Sequence, residues 1–158
     1  MMRSLKRLAL AALFALAFTA PAFATDVSIT AANVVAGANA ITQQGVAGAT
    51  ITAGQFVYLD SATSTYKLCV ANGTALTSAC VGVALHGASA SQPLVVQTKG
   101  SITIGGTLVN GTTYWSSVSN PGGITATAPT TGGFPEVLGI ASSTTVLLLD
   151  FTRTGVVI

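Results

Sequence analysis

Charge is what this chain has least of. It carries six lysines and arginines and four aspartates and glutamates in 158 residues, whereas ordinary globular sequences give about a quarter of their positions to charged side chains. Nucleic-acid surfaces need lysine and arginine clustered on one face. Here Arg3, Lys6 and Arg7 stand together at the start, and Lys67, Lys99 and Arg153 are scattered through the rest, so no nucleic-acid partner is expected. A single histidine and two cysteines supply too few ligands for a structural metal centre. Neither a metal nor another cofactor is expected.

A long hydrophobic run is also missing. The apolar stretch Leu8 to Phe18 is well short of the roughly 20 residues that span a bilayer, and Pro21 interrupts any helix that would continue it. A basic start, this short apolar run and small residues at Ala22 and Ala24 form the three parts of a secretory signal. Cleavage after Ala24 is expected, leaving residues 25–158 as one exported domain, periplasmic or extracellular, with no stable membrane span. Three of the six basic residues leave with the signal, and Lys67, Lys99 and Arg153 then face Asp26, Asp60, Glu136 and Asp150. So few charges leave a surface of Thr, Ser, Asn, Gln, Gly and Ala. Such a surface repels its neighbours poorly, which points to self-association.

What is present is a period of two. "VSITAANVV" sets Val27, Ile29 and Ala31 on one face, "SITIGG" sets Ile102 beside Ile104, and "TTVLLLDF" sets Leu147, Leu149 and Phe151 on one side. The last of these is apolar on its other face too, as expected of a central strand. Turn signals separate the runs at Asn72-Gly73, Gly105-Gly106, Asn110-Gly111, Asn120 to Gly123 and Gly132-Gly133. No amphipathic helix is legible in residues 25–158. The expectation is an all-β single domain, a β-barrel or β-sandwich of many short antiparallel strands.

The cysteines fit that picture if "YKLC" and "CVGV" are arms of a hairpin. Cys69 then faces Cys80, Leu68 pairs with Val81, and Tyr66 pairs with Val83. This register puts the apolar pairs on one face and the cysteines, Lys67 and Gly82 on the other. An exported chain with two cysteines usually joins them, so a Cys69–Cys80 disulfide is favoured over buried free thiols, and both over a metal site.

Catalytic patterns are weak. His86, in "VALHGASAS" with Ser89 and Ser91 nearby, invites a hydrolase reading, with Asp60 or Asp150 as the third member of a triad assembled in space. There is no Gly-x-Ser-x-Gly elbow, however, and a His directly before Gly after a β run suits a turn. Nothing in the sequence sets Asp60 and Glu136 together for glycoside hydrolysis. No catalytic residue is assigned, and the chain is expected not to be an enzyme. Tyr114 and Trp115 are the candidate partner contacts: adjacent in a strand, they face opposite ways, and the outward one is free to stack on a sugar or anchor a protein, the commoner alternative being a half-buried Trp with Tyr at a sheet margin.

Across residues 24–158 the chain resembles small β-rich virion proteins of tailed phages, of the capsid decoration (cement) or head-fibre type. The resemblance rests on the "ITAGQFVYLD" segment, the "GVALHGAS" turn, the "SITIGGTL" strand and the "VLGIASSTTVLLLDF" closing hairpin. It implies a structural protein without chemistry of its own, homo-oligomeric with a trimer favoured, sitting on a capsid-like shell at a virion surface. An exported β-scaffold binding module or adhesin, touching a glycan or protein through Tyr114 or Trp115, is the alternative.

Overall fold

The computed structural model describes residues 25–158; the signal-peptide reading of residues 1–24 lies outside them. Ten strands follow one another: β1 (Val34–Ala36), β2 (Ile41–Val46), β3 (Phe56–Asp60), β4 (Thr65–Leu68), β5 (Gly82–Ala84), β6 (Pro93–Ile104), β7 (Thr113–Ser116), β8 (Ile124–Thr125), β9 (Glu136–Ala141) and β10 (Val146–Arg153). Among the described residues the only helical element is a 3-10 turn at Ala31–Asn33. The strands join in one antiparallel sheet in the order β4-β3-β5-β6-β10-β9-β7-β8, with β1 and β2 also on β6. The sheet curls into a half-barrel. Its β4 edge returns to the end of β2, where the Gly48 N–H donates to the Tyr66 carbonyl at 2.7 Å.

The twelve-residue β6 is the spine. Its first part pairs with β2 and β5, and its last residues pair with β10 and β1. Partners change at Gly100, whose φ of 89° is strained for any residue with a side chain. A β-carbon there would also meet the Asn39 carbonyl.

Alternation along these strands feeds two cores. Phe56 and Tyr58 of β3 join Ile102, Ile104, Tyr114, Leu138, Leu147 and Leu149 in the larger one. Val57, between them, points the other way into a smaller core with Ile51, Tyr66, Leu94 and Val96. A strand buried on both faces carries large apolar residues at successive positions, as Phe56, Val57 and Tyr58 do, whereas Leu59 beyond them is exposed.

Three expectations are corrected. The alternating run 27–35 is not one strand: Thr30 accepts the Asn33 N–H at 2.9 Å, and the resulting turn exposes Ala31. Val27 and Ile29 still pack on the larger core. The cysteines are joined, with their Cα atoms 5.5 Å apart, but not across a hairpin. β3 lies between β4 and β5, pairing Leu59 with Tyr66 on one side and Phe56 with Val83 on the other. Both cysteines are buried in the larger core rather than turned to a surface face. Finally, β10 is central in the sheet, between β6 and β9, yet only one of its faces is covered: Leu147 is fully buried and Leu148 is 47% exposed.

Candidate interaction surface

The uncovered face of β10 continues sideways. Directly paired residues in an antiparallel ladder share a face, so Leu148 lies beside Ile140 of β9 and Ser101 of β6. One step along, Val146 and Val35 flank Thr103. Val35, Ile140 and Leu148 are all exposed. Toward the far edge Thr113 pairs with Ile140, and Trp115 pairs with Val137. The result is an apolar outer face with Ser and Thr set among the aliphatic side chains. Of the seven charged residues in this part of the chain, two border this face: Asp150, two positions beyond Leu148, and the exposed Lys99, two positions before Ser101.

The aromatic pair divides as strand geometry demands. Tyr114 is 2% exposed and its hydroxyl accepts the Val109 N–H at 2.9 Å, which removes it as a surface contact. Trp115 is the outward member, half-buried at the margin of the apolar face.

His86 sits in the bend after β5, with both ring nitrogens engaged by main chain. Its Nε2 accepts the Val95 N–H and its Nδ1 lies against the Gly87 carbonyl, each at 3.0 Å. This arrangement holds the bend against β6. No hydrogen bond joins His86 to Asp60, Asp150, Ser89 or Ser91 among the described residues. Asp60 is occupied elsewhere: it accepts from Lys67 Nζ at 2.6 Å, the Ala62 N–H and the Thr63 hydroxyl. The Lys67 hydrogen bond first, then those two, hold its carboxyl below the usual range.

Glu136 opens β9 and is 1% exposed. Its Oε2 accepts the Cys80 N–H at 2.9 Å. Arg153, its direct cross-strand partner on β10, brings Nε to 3.6 Å from Oε1, too far for a hydrogen bond. Desolvation pushes this carboxyl up to about 7, against the opposing pull of the Cys80 amide and Arg153. Glu136 is not brought to Asp60, whose carboxylate is held by Lys67, Ala62 and Thr63, and its pairing with Cys80 and Arg153 was not expected from the sequence. The signal lay in the closing hairpin, which extended outward sets Glu136 opposite Arg153 after one bulge.

Among the described residues no group of three or more His, Cys, Asp or Glu is placed to hold a metal ion, and no helix is long and apolar enough to cross a membrane. No family model and no curated protein matches the chain.

Proposed function

We propose that the protein is a non-enzymatic structural component that decorates or stabilises a larger protein assembly, such as a phage capsid or virion surface, and that it works as a homo-oligomer, a trimer being favoured. The observation that carries this reading is the apolar outer face around Leu148 and Ile140. Soluble monomers rarely leave contiguous apolar surface uncovered, and here almost no charge interrupts it. The buried disulfide is compatible with use in an oxidising compartment outside the cytoplasm. Analytical ultracentrifugation of the purified protein is the test. The natural chain is expected to sediment as an oligomer and Leu148→Lys as a folded monomer; a monomeric natural chain at micromolar concentration defeats the proposal.

A second reading, an exported binding module for a glycan or protein, draws on Trp115 alone. It predicts ligand binding that Trp115→Ala abolishes while Leu148→Lys leaves it intact.

A further inference from the structure

A small, partly enclosed cavity of about 120 Å³ lies beside Glu136, walled by Ala75, Ser78, Phe134, Pro135, Arg153 and Gly155; the Ser78 hydroxyl donates to the Thr74 carbonyl at 2.9 Å. Most of this wall is apolar. Glu136 Oε1 is buried and has no hydrogen-bond partner, although a buried carboxylate oxygen without one is costly. Its Oε2 is satisfied by the Cys80 N–H, so the vacancy is confined to one atom. Arg153 does not fill it: Nε stays at 3.6 Å and the side chain is 51% exposed, leaving its charge largely in solvent.

The chemistry of the missing partner follows by elimination. An anion is repelled by the carboxylate. A divalent metal lacks ligands, since no cluster of three acidic, His or Cys side chains exists among the described residues. A water or neutral amide donates a hydrogen bond but brings no charge to a carboxylate whose one neighbouring cation, Arg153, stays 3.6 Å away and half exposed. A primary ammonium supplies both charge and donors in a compact head, and a short alkyl stem suits the apolar wall. An engineered cavity of about 150 Å³ takes up benzene, so one of this size has room for on the order of five heavy atoms.

We infer that this cavity is a binding site for a primary ammonium on a short alkyl stem, with Glu136 Oε1 as its counter-ion. Free small amines and the end of a lysine side chain share this chemistry. The inference is independent of the outer face, which lies on other residues.

The experiment is an NMR titration of the purified protein with n-butylammonium chloride at about pH 8.5, with n-butanol as the neutral control of equal length. The Cys80 amide, which donates to Glu136, is expected to shift saturably with the amine and not with the alcohol. Glu136→Gln is expected to weaken the amine by at least about tenfold, and so is Ala75→Phe, which narrows the mouth from an exposed position and spares the core. Acidification to about pH 5.5 protonates Glu136 and is expected to weaken binding as much; Arg153 is the one charged side chain paired with it among the described residues, and Cys80 does not titrate. A short peptide with a central lysine separates the sources. Binding of peptide and amine assigns the site to a partner's lysine, and binding of the amine alone assigns it to free amines. Absence of a saturable shift overturns the inference, as does equal affinity in Glu136→Gln or in Ala75→Phe.

Discussion

Glu136 makes the stability of this domain depend on pH in a direction unusual for a carboxylate. Its carboxyl moves from an ordinary 4.5 to about 7 in the folded chain, so between those values the folded state binds more protons than the unfolded one. The contribution of Glu136 to stability is then largest below pH 4.5, declines as pH rises through that window, and is flat above it. The full shift corresponds to about 3 kcal/mol. Chemical denaturation at about pH 5 and 8 is expected to show the decline, and Glu136→Gln to flatten it and to be the more stable protein at pH 8. A natural chain that grows more stable across that range contradicts the assignment. Apolar residues of the core behave more simply. Leu147 is fully buried between Ile102 and Ala141, and Leu147→Ala is expected to cost about 2 to 5 kcal/mol; a loss below about half a kcal/mol in the same measurement would put the residue elsewhere.

At the scale of elements, the disulfide ties the loop between β4 and β5 to the core. The cysteines are 11 residues apart, and closing a loop of that size contributes about 3 kcal/mol in the chain-entropy model. Reduction under mild denaturant, or replacement of both cysteines by serine, is therefore expected to lower the thermal midpoint by at least several degrees. Scanning calorimetry with and without reductant checks this, and an unchanged midpoint rejects it. How far these elements could be read in advance depended on what holds each one. Ile102, Ile104, Leu147 and Leu149 alternate with partners on one covered face, and their burial follows from period two. The cysteine pairing followed from compartment chemistry, yet its topology did not, because β3 inserts between β4 and β5 through contacts far apart in sequence. Composition did not place β3 either: Phe56, Val57 and Tyr58 are apolar at successive positions and buried, but the equally apolar Leu147 to Leu149 of β10 leave one face open. The break at Ala31–Asn33 depends on where the chain must stop following Gly105 and begin pairing with β6, which no local pattern encodes. The pairing of Glu136 with Arg153 was not legible because one bulge shifts the closing hairpin's register between Leu149 and Thr152.

For the whole molecule, the question is which surface two copies share. Edge pairing is disfavoured at the two ends of the main strand path, where β8 has two residues and β4 is folded back toward β2, whereas β2, six residues paired with β6, keeps an open outer edge. Short or covered edges blunt strand addition. Under the proposed function the copies are expected to meet on the outer face of β1, β6, β10 and β9, face to face, through Val35, Ile140, Val146 and Leu148 with Ser and Thr hydroxyls between them. Salt separates this mode from an ionic one. Raising ionic strength from 0.1 to 1 M shortens the Debye length from about 10 to about 3 Å, while apolar burial is undiminished. The two ion pairs among the described residues, Lys67 with Asp60 and Arg153 with Glu136, are each made within the chain and are not needed between copies. Light scattering of the purified protein across a sodium chloride series is thus expected to return one mass, that of a trimer, from low to molar salt. Ile140→Lys and Leu148→Lys are expected to lower that mass to the monomer with unchanged circular dichroism, because each sets a solvated charge into an interface that offers no counter-charge but Asp150. An oligomer that dissociates as salt rises, or one indifferent to both substitutions, would mean that the copies meet through some other surface.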